Sequence, residues 1–560
     1  MQRLGDGSWV ISASDLAVFA SCPWRLGRSV DEKLGKGVSV PALHDPMMDL
    51  VARLGLEHEA RELSKLKTEM SVLELSYDPH DPRDAPGWRA TIESALDETL
   101  DALASPIGAI FQATLYEERL PDAPLPIGFQ GFADFIVQSE GVWEVWDSKL
   151  ARKAKDQALI QLAAYVDQLQ RRGIPVASTV RVILGDGKHS IHPVDGLLAP
   201  YREMRSQVMG VIAHRSADPN PLAWGDDTYA PCGSKGCPAC SEQIVSQDDL
   251  FQVAGIKKTQ REKIMVGGFA TLEAFAHASR DTVRESVSGI GLDTLAGLHH
   301  QASLQVATRE HPESGPAWEI LSRRMLENVP PPSLGDIFFD FEGDPTYQEG
   351  PGESATAPRV SPDDSTVDFG IEYLFGMWAD TINPSGANTS FLPLWAETFA
   401  QEKRVFQEFL DLVEARIEQF PDMHVYHYAP YERTRLKAMA RRHAIDSPVL
   451  SELLNTRLID LFPVVKKGLV VGLPSYSLKS LEALYFSPET RTGIAGGSES
   501  VVAFADYLMA CSEGETQLAA DIKDSILHYN RIDCFSTQAL RDWMLTTALG
   551  APGQPARSTP

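Results

Sequence analysis

The chain of 560 residues lacks several features that would assign it to a class at once. No apolar run approaches the roughly 18 residues of a membrane helix, so no membrane partner is expected. The opening segment, Met1 to Gly7, does not have the pattern of a signal peptide. This makes the cytoplasm the expected location. A Gly-x-x-x-x-Gly-Lys-Ser/Thr loop is also missing, so the sequence gives no sign of its own ATP motor.

Positive charge is in deficit, because the formal net charge is −26. Phosphate binding depends on Lys and Arg, so this balance excludes a surface that binds nucleic acid everywhere. A local basic groove remains compatible with it. Arg152, Lys153 and Lys155 are candidates for such a groove, or else form a solvated helix face. The length predicts about three or four domains.

Cysteine is scarce, with six residues that are unevenly spread along the chain. A reducing cytosol disfavours disulfides. Cys232, Cys237 and Cys240 lie close together, a spacing that indicates metal ligation. Cys511 and Cys534 lie far from this cluster and are interpreted as plain core thiols.

Changes of pattern divide the chain into four predicted regions: 1–245, 246–328, 329–546 and 547–560. The first holds an acidic motif and the cysteine cluster. The second has short helical patterns broken by glycines. It resembles a helix-hairpin-helix module that contacts a nucleic-acid backbone, with a structural linker as the alternative. The third alternates helices and strands. The last is rich in Pro, Gly and Ser and is expected to be disordered.

Two strand-like segments of the first region each carry a carboxylate. Asp134 lies in one of them, and Asp147 and Lys149 follow the apolar run Val142 to Trp146 in the other. Residues i and i+2 of a strand share a face, so Asp147 and Lys149 would reach the same pocket. Paired carboxylates hold Mg²⁺ or Mn²⁺. A lysine beside that metal would orient a water, which is the apparatus for cutting a phosphodiester.

These motifs occur in one order along residues 10 to 245, with a helical His58 before them and Gln161 and Tyr165 after them. In this order they resemble the RecB-like branch of the PD-(D/E)xK nuclease superfamily. The resemblance implies a restriction-endonuclease-like α/β/α core and the following roles. The metal ligands would be His58, Asp134 and Asp147; Lys149 would position the attacking water; Gln161 and Tyr165 would contact DNA or brace the site.

One spacing departs from the family pattern. The family has Gly-x-x-x-His, whereas Gly55 lies three residues before His58. Glu57 or Glu59 could therefore take the ligand role instead of His58.

The cysteines fit the same resemblance. A subset of RecB-like nucleases carries an iron–sulfur cluster, with one cysteine before the nuclease motifs and three after them. Cys22, Cys232, Cys237 and Cys240 match this layout. The resemblance implies a 4Fe–4S cluster, with structural zinc as the alternative, since four thiolates suit either.

A second acidic motif lies in the third region. Asp340 and Glu342 share one face of the strand Ile337 to Glu342, and Tyr529 and Asp533 share one face of a helix near the C-terminus. With the segment Ser475 to Glu482, they resemble the DEDD exonucleases of the RNase H-like fold.

That resemblance assigns the second set of roles. Asp340, Glu342 and Asp533 would hold two metals about 4 Å apart, and Tyr529 would orient the water. Where the family has an aspartate this chain offers Glu432, and Asp460 is a less favoured substitute.

Together the motifs predict an α/β multidomain, metal-dependent nuclease. It would act on DNA, or on RNA as the alternative, in DNA repair or in defence against foreign DNA. Two other interpretations stay open: a nucleic-acid-binding adaptor with inactive sites, and a non-nuclease metalloenzyme using the Asp340 site. Any helicase would be a separate partner.

Overall fold

The computed structural model describes residues 1–42, 45–226, 228–349, 370–379, 390–487, 493–494 and 496–550. The chain forms two compact units, Met1–Gln247 and Asp248–Pro560. Residues 551–560 of the tail predicted to be disordered lie outside the described residues. Among the described residues, no helix is both long and apolar enough to cross a membrane.

In the part of the first unit that the structure describes, a mixed sheet packs with seven helices. Its strands are β1 (Gln2–Arg3), β2 (Trp9–Ile11), β3 (Val72–Glu74), β4 (Ala109–Glu117), β5 (Ile127–Ser139), β6 (Val142–Lys149), β7 (Thr179–Leu184) and β8 (His189–Pro193). Its helices are α1 (Ala13–Ser21), α2 (Pro23–Lys33), α3 (Pro46–Glu69), α4 (Ala85–Leu103), α5 (Asp156–Arg171), α6 (Asp195–Ala217) and α7 (Pro238–Ser246).

The long strand β5 organises this sheet. It pairs with β2 at its beginning, with β6 at its end and with β4 along its length. β7 then continues the sheet beside β6 in parallel. Apolar residues of α3, including Leu63 and Leu66, pack against Phe135 and Trp146. The core thus fixes the β5–β6 pair, whose ends carry the first acidic motif.

The second unit begins with a small helical part. It contains α8 (Lys258–Val266), α9 (Leu272–His277), α10 (Arg280–Ser286) and α11 (Leu292–Glu310). These helices enclose their own apolar cluster, in which Ile264, Phe275 and Leu298 are buried. The breaks between α8 and α9 and between α10 and α11 fall at the glycines where the sequence predicts them.

The rest of the second unit is an α/β domain. Its strands are β9 (Trp318–Ile320), β10 (Ile337–Asp344), β11 (Ile371–Trp378), β12 (Phe391–Trp395), β13 (Val425–His427), β14 (Leu458–Asp460) and β15 (Leu469–Val471). Its helices are α12 (Arg323–Glu327), α13 (Phe399–Gln419), α14 (Tyr431–Arg442), α15 (Pro448–Glu452), α16 (Leu461–Gly468), α17 (Leu478–Leu481), α18 (Gly497–Glu513) and α19 (Thr516–Trp543).

Five of these strands form one sheet in the order β12-β11-β10-β13-β14. β10, β11 and β12 are antiparallel neighbours, whereas β13 and β14 run parallel to β10. Side chains alternate along β10. Phe339 and Phe341 pack into an apolar core with α13, while the residues that alternate with them face α19. This alternation directs Asp340 and Glu342 toward the long C-terminal helix. The predicted α/β multidomain fold is confirmed.

Candidate metal-dependent nuclease sites

The first site comprises Asp134, Asp147 and Lys149. The β5–β6 ladder ends at the pair Phe135–Trp146, so Asp134 and Asp147 occupy the next positions on the two strands. There the Asp134 carboxylate accepts a hydrogen bond from the backbone N–H of Ser148, at 2.9 Å. The strand geometry therefore brings together the two carboxylates that the sequence pairs.

Lys149 completes the first site. Its Nζ donates to Asp147 Oδ1 at 2.7 Å. Burial opposes the ammonium charge, but the carboxylates of Asp147 and Asp134 raise the pKa of Lys149 above its ordinary value. Lys149 is therefore a charged hydrogen-bond donor at neutral pH.

Asp147 has the features of a metal ligand. It is completely buried, and its Oδ2 has no hydrogen-bond partner among the residues that the structure describes. Burial, together with the charge of Asp134, raises the pKa of Asp147 to about 7. An orphaned carboxylate oxygen in such a site is costly unless a cation satisfies it. The donor set of the first site thus fits Mg²⁺ or Mn²⁺, which prefer oxygen ligands.

Helix α3 presents Glu59, rather than His58, to these carboxylates. His58 is buried, its Nδ1 lies 4.0 Å from Glu62 Oε1, and its ring interacts with the backbone of Ile183. The charges that act on His58 are those of Glu62, Arg61 and Lys65. Burial and the charge of Asp134 raise the pKa of Glu59, and Lys149 lowers it. Glu57 is exposed.

Gln112 of β4 is a residue of the first site that the sequence gives no reason to select. Its backbone is left-handed, with φ of 58°. The ladder between β4 and β5 skips Gln112 and Asp134. Gln112 Nε2 donates to Glu59 Oε1. A non-glycine residue in this conformation is a mark of a functional or strained site, and only the structure reveals it.

Gln161 and Tyr165 of α5 lie beside the first site. Gln161 Nε2 donates to the Tyr165 hydroxyl at 3.1 Å. Burial and the charges of Asp134 and Asp147 raise the pKa of the Tyr165 phenol. Its ring packs on Gly131 of β5, where a Cβ atom would lie 2.4 Å from Tyr165 Cε1.

Gly131→Ala is expected to displace the Tyr165 ring and destabilise its domain by about 1–3 kcal/mol, the usual cost of overpacking. Cleavage by the first site should slow as well, because Tyr165 borders its carboxylates. Urea unfolding and a cleavage assay measure the two effects. Gly210→Ala on α6 is the control, since nothing lies within 4 Å of its Cβ position. Equal unfolding curves for both variants would contradict the packing role.

The second site comprises Asp340, Glu342 and Asp533. Each offers one carboxylate oxygen, and these three atoms lie within 4.8 Å of one another. Burial, followed by the charge of Asp533, raises the pKa of Glu342 to about 8. Three carboxylates held this close repel one another unless a cation lies between them. The all-oxygen donor set fits Mg²⁺ or Mn²⁺.

Tyr529 lies beside these carboxylates on α19. Burial and the charges of Asp533, Glu342 and Asp340 raise the pKa of its phenol well above the ordinary value. Lys479, a residue to which the sequence motifs assign no role, places its Nζ 4.6 Å from the centre of the Tyr529 ring. The Lys479 ammonium and the neutral Tyr529 phenol therefore lie side by side next to the three carboxylates.

Glu432, the predicted fourth ligand, lies outside the group of three close carboxylates. It lies in the first turn of α14, and its Oε2 is hydrogen bonded to His427 Nδ1 at 2.9 Å. The group of ligand atoms within 4.8 Å contains Asp340, Glu342 and Asp533, and it does not contain Glu432. Asp460 is occupied too, because it accepts from the backbone N–H of Ala429 and of Phe462.

The four predicted cysteines lie together. The Sγ atoms of Cys22, Cys232, Cys237 and Cys240 are within 4.8 Å of one another. The Sγ of Cys240 lies 3.6 Å from that of Cys22 and 3.8 Å from that of Cys232. The group joins the beginning of α2 to the beginning of α7.

A buried ion pair also connects α2 to α6. Asp31 of α2 accepts hydrogen bonds from Arg215 of α6 and from the N–H of Leu222.

The sulfur–sulfur distances test the implied four-iron cluster. Zn–S bonds of about 2.3 Å in a tetrahedron place neighbouring sulfurs about 3.8 Å apart. A cubane carries its thiolates on separate irons at its corners, so their sulfurs lie farther apart. The observed spacing matches the tetrahedral arrangement of one ion, while the four-thiolate donor set suits either metal centre.

Comparisons with known families agree with this architecture. Residues 10–241 match the family model of the PD-(D/E)XK nuclease superfamily, and residues 366–545 match that of the RNase_H superfamily. No curated protein matches the chain. The two matches confirm the pairing of domains that the sequence motifs predict.

Proposed function

We propose that this chain, which joins a PD-(D/E)XK nuclease superfamily domain to an RNase_H superfamily domain, is a metal-dependent nuclease that hydrolyses phosphodiester bonds of DNA through both sites. The observation that carries the proposal is the first site. A buried carboxylate oxygen of Asp147 lacks a partner there, beside a second carboxylate and a charged lysine. RNA is the alternative substrate.

In the first site, Asp134 and Asp147 would hold Mg²⁺ or Mn²⁺, with Glu59 as the ligand from α3. A metal bound there supplies Lewis acidity and lowers the pKa of water. Lys149 would donate a hydrogen bond to the attacking water or to the phosphate. Gln161 and Tyr165 would brace the site and contact the substrate strand.

In the second site, Asp340, Glu342 and Asp533 would hold the metal ions of a DEDD-type 3′–5′ exonuclease. The Tyr529 phenol, kept protonated by its surroundings, would orient the nucleophilic water. Lys479 would offset negative charge on the substrate beside it. Glu432 is hydrogen bonded to His427 and is not among the three grouped carboxylates, so the proposed site uses three ligands from β10 and α19.

For the four cysteines, the sulfur spacing supports the zinc alternative over the 4Fe–4S cluster. Purified protein is expected to contain one zinc ion and to lack the thiolate-to-iron charge-transfer band. Stoichiometric iron with a visible band would overturn this assignment.

Removal of that ion is expected to lower the thermal unfolding midpoint of the first unit by roughly 10 °C. A structural metal contributes several kcal/mol, and about 1 kcal/mol shifts the midpoint by roughly 2–4 °C in a domain of this size. Cys240→Ser should have the same effect. Cys511→Ser, an exposed thiol of the second unit, is the control. An unchanged unfolding midpoint after metal removal would contradict a structural role for the ion.

The adaptor alternative predicts binding without cleavage. Among the described residues, the buried Asp147 Oδ2 lacks a hydrogen-bond partner, and three carboxylates of the second site lie close together. Both features favour catalysis over binding alone. DNA repair or defence remains an inference from the superfamilies alone. The cytoplasm stays the predicted location. A separate helicase has no support from the comparisons and forms no part of the proposal.

A cleavage assay tests the proposed function. Single- and double-stranded DNA and RNA are incubated with the full chain in Mg²⁺ or Mn²⁺, with EDTA as the control. Metal-dependent cleavage of DNA is expected. Tight binding of every substrate without any cleavage would instead support the adaptor.

A further inference from the structure

Asn530 of α19 is a fully buried amide that contacts the second site. Its Nδ2 donates to Asp340 Oδ2 at 2.8 Å and lies 3.4 Å from Glu342 Oε1. Its Oδ1 accepts from the Cys534 thiol at 3.7 Å. Two of the three grouped carboxylates therefore share one neutral hydrogen-bond donor.

Gly376 of β11 makes room for this amide. It is the register partner of Asp340 on the neighbouring strand. A Cβ atom at this position would lie 1.6 Å from Asn530 Oδ1 and 2.7 Å from its Cγ. No side chain is compatible with such distances. The absence of a side chain at Gly376 therefore leaves the space that the Asn530 amide needs to reach Asp340.

The chemistry of the amide suits a group of like charges. Lysine or arginine in its place would neutralise the carboxylates and compete with a cation. The Asn530 amide fixes their orientation without adding charge. Groups that hydrogen-bond to metal ligands fix ligand geometry, and their loss typically costs about 10- to 100-fold in metal affinity or activity.

We propose that Asn530 is a positioning residue that holds Asp340 and Glu342 in the orientation that binds Mg²⁺ or Mn²⁺, with Gly376 as its cradle. The inference rests on the proposed function of the second site. Asn530 acts through the carboxylates and has no assigned contact with substrate.

Direct binding of Mn²⁺ tests this role without any cleavage assay. Full-length protein carrying Asp147→Asn, which disables the first site, is titrated with Mn²⁺ and followed by electron paramagnetic resonance. Asn530→Leu keeps the shape of the side chain and removes the donor. It is expected to raise the dissociation constant for Mn²⁺ by about 10- to 100-fold. Asn530→Ala is made as well, and circular dichroism verifies that the variants fold.

Gln538→Ala is the matched control. Gln538 also lies on α19, and it bonds the neighbouring strand β11 of the same sheet, since it accepts from Trp378 Nε1 at 2.7 Å. Its loss removes one hydrogen bond between α19 and the sheet without touching the carboxylates of β10. The affinity for Mn²⁺ should stay the same. An equal loss in Gln538→Ala and Asn530→Leu would reduce Asn530 to a packing residue and overturn the proposal.

Gly376→Ala tests the cradle. Alone, it should weaken Mn²⁺ binding about as much as Asn530→Ala, because the new Cβ pushes the amide away. In the double variant, Gly376→Ala should weaken Mn²⁺ binding little beyond Asn530→Ala, since alanine at position 530 lacks the Oδ1 and Cγ atoms that the new Cβ would meet. Losses that multiply in the double variant would contradict the cradle.

Two results separate this inference from its premise. Unchanged Mn²⁺ affinity in a folded Asn530→Leu or Asn530→Ala variant overturns the positioning role, while the second site remains a metal site. Unchanged affinity in Asp340→Asn overturns both, because the carboxylates would then not bind the metal at all.

Discussion

Lys149→Ala is expected to slow cleavage at the first site by about 10²–10⁴-fold, the usual range for a group that positions or moves a proton. Lys149 Nζ is 2.7 Å from Asp147, and its side chain is 38% exposed, so it reaches both the carboxylate and the substrate side. Alanine removes the positive charge of the Lys149 ammonium and leaves both strands intact. The rate is measured with Asp340→Asn in the background, which removes the contribution of the second site.

Lys67→Ala is the control for this substitution. Lys67 also pairs with a carboxylate, that of Glu74 at 2.6 Å, but the pair lies exposed at the surface. Its loss should leave the rate unchanged. If both lysine variants cleave alike, the role assigned to Lys149 is wrong.

Asp340→Asn is expected to lower cleavage at the second site by at least about 100-fold, on the order of 3 kcal/mol of transition-state stabilisation. The amide keeps the shape of the side chain, so the change removes one negative oxygen from a group that fits a divalent cation. Lys149→Ala in the background isolates the second site. Excess Mn²⁺ should restore part of the rate, because weakened binding is offset by concentration.

Asp344→Asn, four residues on in the same strand, is its matched control. Asp344 is buried and accepts from the N–H and hydroxyl of Thr346, so it caps a turn rather than joining the acidic group. A comparable drop in rate for both substitutions would mean that the strand, and not the metal site, was damaged.

Much of the fold can be predicted because it follows from local patterns. The alternation around Asp340 and Glu342 directs both to one face, and the helical spacing of Tyr529 and Asp533 brings them to the same side of α19. The apolar run before Asp147 likewise fixes β6. In each case, the period of the element alone determines which side chains meet.

The remaining features depend on contacts between distant segments. The sequence cannot distinguish His58 from Glu59, since one residue on a helix turns the side chain by about 100°, and only packing against β5 to β7 sets that rotation. Glu432 occupies the family position, and only the structure shows that it is hydrogen bonded to His427. Asn530 follows Tyr529 directly, yet its role depends on Gly376, more than a hundred residues earlier.

The choice between zinc and an iron–sulfur cluster also depends on contacts between distant segments. The order of one cysteine before and three after the nuclease motifs identifies a shared metal site, and the structure brings these four thiols together. The order carries no information on sulfur spacing, which separates one tetrahedral ion from a cluster. That distinction requires distances between side chains that lie more than two hundred residues apart.

Single-turnover cleavage of end-labelled DNA by wild type, Lys149→Ala, Asp340→Asn and the double variant tests the central claim most directly. The two-site account predicts that wild type cleaves in Mn²⁺, that each single variant slows the formation of one set of products, and that the double variant slows both by at least about 100-fold. Cleavage by the double variant at the wild-type rate would contradict it.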